Sequence, residues 1–357
     1  MKVAFRVDAT NRIGTGHFMR CLTLADAIKE RGGTTRFLSR NLPDHLSGLL
    51  DSRGHTLLAL GTGDGDVNGD LPHSAWLGTS QQADARACLD ALGDPLCDWL
   101  VVDHYALDER WETPLRQRAK NIFVIDDIAD RNHDCDLLLD QNFYANMCER
   151  YEKRLPKACT SLLGPKYAIL RKEFLRLHAV SKPRQGRVER VFVFLGGVDS
   201  GSYTSVAIRA LGNFRNRNLS VDIVLGVQHP RKEEICSECE QRKFSVHVQT
   251  DRIGELMKAA DLGIGAGGGA TWERCTVGLP TLVVAVASNQ VHTAIDTAKI
   301  GATNYAGCAG DVSEERLARE IDRSFDSTWI NRTSRFCLDL VDALGVQRIL
   351  ETMKYHE

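Results

Sequence analysis

The stretch that decides the fold is the N-terminal segment Lys2-Val-Ala-Phe-Arg-Val-Asp8, Ala9-Thr-Asn-Arg-Ile-Gly14-Thr-Gly16, His17-Phe-Met-Arg20-Cys-Leu-Thr-Leu-Ala-Asp-Ala-Ile28. In its first part, apolar side chains alternate with others up to a polar break, which predicts a short strand entering a buried sheet. In its last part, apolar residues recur at the spacing of one helix face and stop at Gly32-Gly33, which predicts an amphipathic helix. The chain therefore begins as a strand, a glycine-bearing turn and a helix, a unit that is common in α/β proteins.

His17 lies in the first turn of this predicted helix, directly after Gly16, a residue that lets a ligand approach the backbone closely. The helix dipole disfavours a positive imidazolium at that end, so we expect the neutral imidazole. A neutral imidazole beside an open loop is a candidate general base. The alternative is that His17 is an ordinary solvated residue at the start of a helix.

Length and composition predict a globular protein of two domains. The 357 residues exceed one comfortable core, and 43% hydrophobic with 26% charged residues are globular values. The formal net charge of -2 leaves no basic footprint, so we expect no nucleic-acid partner. The sequence begins directly as a predicted strand and has no apolar run of the ~18 residues that a membrane span needs. We therefore expect a cytoplasmic protein with no membrane partner.

The sequence carries no pattern typical of a metal site. Its eleven cysteines, an odd number, favour the reduced thiols of a cytosolic protein. The C-x-x-C pair Cys236 and Cys239 has no second pair to complete a zinc site. Asp126 and Asp127 are adjacent carboxylates, but no third acidic ligand follows at motif spacing. We therefore expect neither a metal nor any other cofactor.

Three apolar segments in the first half, each a predicted strand, end in polar side chains. These are Asp103 and Tyr105 after strand 99–102, Asp126 and Asp127 after strand 122–125, and Asn142 after strand 137–139. In open α/β sheets, ligands bind outside the carboxyl ends of the strands, so these side chains predict a polar cleft. The alternative at each position is a side chain satisfied by nearby loop amides or capping the next helix. The Gly- and Asp-rich stretch from Gly61 to Gly78 is predicted to be a loop.

The second half restarts the same pattern after a polar segment that carries Pro and Gly. We interpret residues 181–188 as the interdomain linker, residues 1–180 as the N-terminal domain and residues 189–357 as the C-terminal domain. A strand at 191–195 runs into a turn with Gly196, Gly197 and Asp199. Another, at 280–286, ends at Asn289 and Gln290. The stretches 314–325 and 334–354 are predicted helices, and these last helices are candidates to pack on the N-terminal domain.

The second informative motif is Gly265-Ala-Gly-Gly-Gly269-Ala-Thr-Trp-Glu273, in which a predicted strand feeds three consecutive glycines and a new helix. Free backbone amides and the positive end of a helix dipole suit a diphosphate. The motif matches neither the Walker A pattern nor the spaced G-x-G-x-x-G fingerprint, so the amides must hold the anion largely without a lysine. Glu273 could accept both hydroxyls of a ribose, and the alternative is a carboxylate simply favoured near a helix N-terminus.

Together these motifs resemble the PseG family of the pseudaminic acid pathway, whose members hydrolyse UDP-2,4-diacetamido-2,4,6-trideoxy-β-L-altropyranose. The resemblance is most specific in Arg6-Val-Asp8 and in the run from Ile13 to Ala25. It covers nearly the whole chain and continues through Asp103-His-Tyr105, Asp126-Asp127, Asn142, Gly164 to Phe174, Gly196-Gly197-Val-Asp199, Gly265 to Glu273 and Asn289-Gln290. The residues after Cys308 exceed the length of short family members. The glycine loop alone is shared with many UDP-sugar enzymes of the two-domain glycosyltransferase-B type.

The resemblance implies an α/β fold of two Rossmann-like domains facing across a cleft. It also implies metal-independent hydrolysis of the anomeric C–O bond with release of UDP, in pseudaminic acid biosynthesis for flagellin glycosylation. The catalytic histidine of the family matches His17, which would take a proton from a water that attacks C1 with inversion. Amides at the departing diphosphate would stabilise the charge that develops there.

The expected ligand contacts fall into two groups. UDP is expected on Gly267, Gly268, Gly269, Ala270, Thr271 and Glu273. The sugar and its N-acetyl groups are expected near Asp8, Gly14, Gly16, Arg20, Asp103, Tyr105, Asp126, Asp127, Asn142, Gly197, Asp199, Asn289 and Gln290. We expect a small-molecule UDP-sugar as the partner of a monomer.

Three alternatives to a hydrolase stay open at this stage. A UDP-sugar glycosyltransferase resembling the lipid II glucosaminyltransferase (MurG-like) would share the fold and the glycine loop, but should carry an apolar or basic membrane-facing patch near its acceptor cleft. A nucleotide-sugar epimerase would need acid and base groups on both faces of the sugar. A non-catalytic sugar-nucleotide-binding protein would keep the loop but need no positioned base at His17.

Overall fold

The computed structural model describes residues 1–10, 12–61, 63, 69–197, 199, 201–214, 218–227 and 229–355. It divides the chain into two compact units, each an α/β structure around a parallel sheet. Unit 1 comprises Met1–Gln141, Asn146–Ile169 and Gly345–Glu357, and unit 2 comprises Asn142–Ala145 and Leu170–Leu344. The predicted class, α/β with two Rossmann-like domains, is confirmed.

Unit 1 contains, over its described residues, a seven-stranded parallel sheet in the order β3-β2-β1-β4-β5-β6-β7. The strands are β1 (Lys2–Val7), β2 (Thr34–Ser39), β3 (Thr56–Ala59), β4 (Cys97–Asp103), β5 (Ala119–Ile125), β6 (Leu137–Asp140) and β7 (Thr160–Leu163). The helices are α1 (Gly16–Glu30), α2 (Asp44–Ser52), α3 (Gln81–Leu92), α4 (Glu109–Leu115) and, from the C-terminal end, α13 (Gly345–Tyr355).

Strand β1 lies at the point where the strand order of unit 1 reverses, with β2 on one side and β4 on the other. Its register places Val7 opposite Asp103, so β1 and β4 end together. The carboxyl ends of strands at such a switch point are where open α/β sheets bind ligands. The turn that follows β1 and the last residue of β4 are therefore placed to form a site.

Successive side chains of β1 point to opposite faces of the sheet, and both faces are buried. Phe5 belongs to the core on the side of α1, whereas Ala4 belongs to the core on the other side of the sheet. Arg6 is also fully buried, and its guanidinium donates two hydrogen bonds to Asp84 of α3. A parallel sheet with helices on both faces buries both sets of side chains, which explains this pattern.

Unit 2 contains, within the described part of the chain, a six-stranded parallel sheet in the order β10-β9-β8-β11-β12-β13. The strands are β8 (Arg190–Phe194), β9 (Ser220–Leu225), β10 (Ser245–Val248), β11 (Leu262–Ala266), β12 (Thr281–Ala285) and β13 (Asn304–Cys308). The helices are α5 (Lys172–Ala179), α6 (Tyr203–Gly212), α7 (Lys232–Arg242), α8 (Ile253–Ala259), α9 (Ala270–Thr276), α10 (Val291–Lys299), α11 (Glu314–Arg323) and α12 (Ser327–Leu340). Here the strand order reverses between β8 and β11, so the glycine loop after β11 follows the switch point.

The segment 181–188, predicted to be a linker, lies inside the part of unit 2 that runs from Leu170 to Leu344. Arg184 is buried, and its guanidinium donates hydrogen bonds to the backbone carbonyls of Ala260 and Val277. Because the side chain of Arg184 is buried and hydrogen-bonded within unit 2, this segment is part of that unit even though it contains Pro and Gly. The two compact units divide near Leu170 and not at this segment, so α5 belongs to unit 2.

Three further features of the structure bear on the predictions. The stretch 334–354, predicted as one helix, is divided between α12 and α13, and α13 belongs to unit 1. Of the predicted loop 61–78, residues 62 and 64–68 lie outside the described residues, and Ser74–Trp76 forms a 3-10 helix. None of the helices in the described ranges combines the length and the apolar character that crossing a bilayer requires.

Candidate active site

His17 forms a short hydrogen bond with Asp103 in unit 1. The distance from His17 Nδ1 to Asp103 Oδ1 is 2.5 Å, and the two side chains are 12% and 0% exposed. The first turn of α1 supplies His17, and the last residue of β4 supplies Asp103. Because Asp103 engages Nδ1, the ring nitrogen that can take part in proton transfer is Nε2.

The turn between β1 and α1 leaves the backbone near His17 open. Gly14 has φ +78°, a conformation that favours glycine, and its amide donates to the carbonyl of Thr10. Apart from the adjoining residues and the backbone of α1 itself, no described atom lies within 4 Å of a Cβ built at Gly14 or at Gly16. Both predicted glycines therefore line open space next to the histidine.

Arg20, one helical turn after His17, joins the carboxylates that follow two different strands. Its Nε donates to Asp103 Oδ2 at 2.6 Å, and its Nη1 donates to Asp127 Oδ2 at 2.7 Å. The hydroxyl of Tyr105 also donates to Asp127 Oδ2, at 2.8 Å. The structure therefore brings together five predicted residues in one hydrogen-bonded group, which we call the His17 cluster: His17, Arg20, Asp103, Tyr105 and Asp127.

The charges of the His17 cluster are strongly coupled. Burial alone would raise the pKa of Asp103, but attraction to Arg20 and His17 outweighs it and holds that pKa well below its ordinary value. Burial, reinforced by Asp127, raises the pKa of Tyr105 well above its ordinary value. Asp103 is therefore an anion at neutral pH, and Tyr105 is a neutral donor.

Two aromatic residues beside the His17 cluster were missed by the sequence analysis. Trp76 stacks on Tyr105 with ring centroids 5.5 Å apart, and the ring of His17 meets it edge-on at 6.3 Å. His73 packs against both Trp76 and Tyr105, and burial lowers its pKa. Both residues lie in the stretch predicted as a loop, where a tryptophan among polar residues was the available signal. Aromatic faces of this kind can pack against the apolar face of a sugar ring.

Asp8 and Asp126 lie in the core of unit 1 and not in the His17 cluster. Asp8 is fully buried and accepts hydrogen bonds from Ser39 Oγ and from the amides of Arg40 and Asn41. Asp126 is equally buried and accepts from the amide of Ala129 and the guanidinium of Arg131. Protein groups therefore hold both carboxylates away from solvent, and their predicted contacts with the sugar stay predictions.

The glycine loop of unit 2 follows β11 as predicted, and its surface is accessible. Gly267 and Gly268 are partly exposed, and Gly269 is exposed. Gly268 has φ +86°, which favours glycine. A Cβ on Gly267 would lie 3.0 Å from Cβ of Gln290, so the predicted residue Gln290 packs directly on this loop. The helix that follows, α9, has only seven residues, so its dipole is small.

Glu273 is on α9 and is 20% exposed. Burial raises its pKa, although the positive charge of Arg171, 3.5 Å away, opposes that change. Thr271 is buried, whereas Ala270 is partly exposed. The six residues predicted to bind UDP thus lie on one continuous segment, and Glu273 is the carboxylate on it.

The other predicted residues are more scattered. Asn142 belongs to unit 2, where it accepts a hydrogen bond from Trp272 Nε1 at 3.3 Å. Asp199 accepts hydrogen bonds from the amides of Tyr203 and Thr204 in the first turn of α6, and its predicted contact with the sugar stays a prediction. Gly197 and Asn289 are exposed in unit 2.

The chain is similar to known proteins in its fold and, over part of its length, in its sequence. The chain is similar in structure to MurG of Acinetobacter baumannii, with a TM-score of 0.67 and 12% identity over 99% of each chain. At this identity the likeness is one of fold, and the fold is the glycosyltransferase-B type of two Rossmann-like domains. No family model matches the chain.

Two curated relatives match parts of the sequence. The UDP-2,4-diacetamido-2,4,6-trideoxy-β-L-altropyranose hydrolase of Campylobacter jejuni is 25% identical over 201 residues, which is 56% of this chain and 61% of that protein. The spore coat polysaccharide biosynthesis protein SpsG of Bacillus subtilis is 27% identical over 191 residues, which is 52% of this chain and 56% of that protein. The chain thus spans less than two thirds of the length of either relative.

Proposed function

We propose that this chain is an enzyme that acts on a UDP-sugar, and specifically a hydrolase of UDP-2,4-diacetamido-2,4,6-trideoxy-β-L-altropyranose. The observation that carries the proposal is the 2.5 Å hydrogen bond between His17 Nδ1 and buried Asp103, which leaves Nε2 as the nitrogen for proton transfer. The partial match to the Campylobacter jejuni hydrolase supports the reaction and the sugar. The sugar would place the reaction in pseudaminic acid biosynthesis.

In the proposed reaction, His17 acts as the general base. Nε2 takes a proton from a water as the water oxygen forms a bond to C1 of the sugar, and the bond from C1 to the diphosphate oxygen breaks. UDP leaves with the electron pair of that bond, and the attack inverts the configuration at C1. Asp103 holds the Nδ1–H tautomer and stabilises the imidazolium, which then returns its proton to solvent.

Unit 2 supplies the proposed nucleotide-binding loop. The backbone amides around Gly268 and Gly269 would hold the diphosphate, and Glu273 would accept the ribose hydroxyls. In unit 1, the surface next to His17 offers Gly14, Gly16, Arg20 and Asp127, together with the face of Trp76, for the proposed contacts with the sugar. The proposed reaction uses no metal.

The first test is the variant His17→Leu in an assay that measures UDP release. Because removing a general base typically lowers the rate by ~10²–10⁴-fold, kcat should fall in that range. The affinity for UDP, measured by calorimetry, should be unchanged, since the proposed UDP contacts are all in unit 2. Turnover at the wild-type rate in this variant would refute the role of His17.

The reaction itself is tested in ¹⁸O water with EDTA present and mass spectrometry of the products. Label in the free sugar and not in UDP is the expected result, since water attacks carbon. Label in UDP would mean attack at phosphorus and would contradict the proposed mechanism.

The second candidate function is a UDP-sugar glycosyltransferase. The structural likeness to MurG over 99% of both chains favours it, because transferases use the same fold. The same assay separates the two candidates. A transferase would release little UDP from the UDP-sugar alone and would require an acceptor for turnover.

A further inference from the structure

Arg274 is a buried cation that spans the glycine loop of unit 2. Its side chain belongs to α9, and the residue is 1% exposed. Its Nη2 donates to the carbonyl oxygen of Ala266 at 2.7 Å and to Thr271 Oγ1 at 3.1 Å. Ala266 precedes the three glycines of the loop, and Thr271 follows them. The guanidinium of Arg274 therefore forms hydrogen bonds at both ends of the proposed diphosphate site.

Among the described residues, the partners of this guanidinium are all at Nη2. Nε and Nη1 of Arg274 are buried, and neither has a hydrogen-bond partner among the residues that the structure describes. Burial lowers the pKa of Arg274 to about 10, and the nearby Cys275 and Glu273 only partly offset this effect. A buried charge in such a state is unfavourable unless an anion balances it.

The backbone at the end of β11 is shaped to admit this cation. A Cβ built at Gly265 would lie 2.5 Å from Nη1 and 2.8 Å from Cζ of Arg274. The guanidinium therefore packs directly against the bare backbone of Gly265. Any larger side chain at position 265 would displace it from beneath the loop.

We infer that Arg274 is a positioning residue for the diphosphate of a nucleoside diphosphate bound at the Gly267–Thr271 loop. The charge that the protein leaves unbalanced attracts the anionic diphosphate through a medium of low dielectric, where such attraction is strong. The hydrogen bonds to Ala266 and Thr271 hold the loop amides in place for the same anion. The inference rests on the proposed function, because it takes this loop as the UDP site.

The inference predicts opposite effects on the free and on the liganded protein. In the variant Arg274→Met, affinity for UDP should fall by about tenfold or more, while affinity for uridine should stay within about twofold, since uridine carries no phosphate. The melting temperature of the ligand-free variant should be equal to or above that of the wild type, and the increase produced by UDP should shrink. Arg274→Lys keeps the charge and should recover part of the affinity for UDP.

Arg184 provides a matched control. It is also buried in unit 2, burial likewise lowers its pKa to about 10, and its guanidinium donates to backbone carbonyls of Ala260 and Met257. Those carbonyls are not part of the glycine loop. Arg184→Met should therefore change the melting temperature without changing the ratio of the affinities for UDP and uridine.

The outcomes separate this inference from the proposed function. If the wild type binds no UDP, the proposed function fails and the inference fails with it. If the wild type binds UDP and Arg274→Met binds UDP with the same affinity, only the inference is overturned. The same holds if the variant loses affinity for uridine and for UDP by the same factor. Should Arg274→Met not fold, Gly265→Ala displaces the guanidinium while keeping its charge in the chain, and it should show the same selective loss of UDP affinity.

Discussion

At the scale of single residues, Asp103 is the side chain that connects the proposed base to its surroundings. It contacts both Nδ1 of His17 and the guanidinium of Arg20. Asparagine has nearly the same shape but no negative charge, so Asp103→Asn should lose both the tautomer control and the stabilisation of the imidazolium. We expect kcat for UDP release to fall by about 10²–10⁴-fold with little change in UDP affinity.

The control for this variant is Cys21→Ala. The thiol of Cys21 donates weakly to the same carboxylate, with Sγ 3.6 Å from Asp103 Oδ2, and it carries no charge that could hold the imidazole. Its removal should change kcat by no more than roughly threefold. If Asp103→Asn behaved like Cys21→Ala, the carboxylate would have no part in orienting the base.

Some of the residues predicted from the sequence lie together in the His17 cluster, and others are buried in the core of unit 1. The difference has a physical reason. The proximity of His17 and Asp103 was predictable because the turn after β1 leads into the first turn of α1, and β1 and β4 end at the same edge of the sheet. Asp8 and Asp126 follow strands too, but Arg6 and Arg131 pair with them in the core. Both arginines are near these carboxylates in sequence, but the local sequence does not show whether the surrounding segments bury the pair.

At the scale of elements, α13 completes the core of unit 1 although it ends the chain. Its residues Ile349, Leu350 and Met353 are buried in the same hydrophobic cluster as Leu22 of α1. Truncating a buried isoleucine to alanine typically lowers stability by about 2–5 kcal/mol. Ile349→Ala should show a loss of this size in urea denaturation.

The exposed residue Gln347 lies on the same helix and gives the comparison. Gln347→Ala should change the free energy of unfolding by no more than about 0.5 kcal/mol. Equal effects of the two substitutions would mean that α13 does not contribute its apolar face to the core.

Long apolar strands could be located from the sequence pattern, whereas short strands of mixed polarity could not. Long apolar strands such as β4 and β5 were located closely, because both of their faces are buried. The short strands β7 (Thr160–Leu163) and β13 (Asn304–Cys308) were missed, since four or five residues of mixed polarity carry too little pattern. The segment 181–188 resembled a linker in composition, but the packing of Arg184 determines that it is part of unit 2.

At the scale of the whole molecule, stability is tied to pH through a buried acid–base group in unit 1. His133, Glu112 and Asp126 are all buried, and Nδ1 of His133 is 2.7 Å from Glu112 Oε1. Burial lowers the pKa of His133, but attraction to Glu112 and Asp126 outweighs it and raises that pKa to about 9. Arg131 beside this group is paired with both Asp126 and Asp130.

This group gives the stability of the protein a dependence on alkaline pH. The pKa of His133 is about 9 in the folded chain and near 6.5 in the unfolded chain. Its stabilising contribution is therefore complete below pH 6.5 and is lost as the pH rises through 9, by roughly 3 kcal/mol in all. Urea denaturation of the wild type should show a loss of this order between these pH values, and His133→Gln, less stable throughout, should lack it. The ring protons of His133 should titrate near pH 9 by NMR; titration near 6.5 would refute the argument even if the variant did not fold.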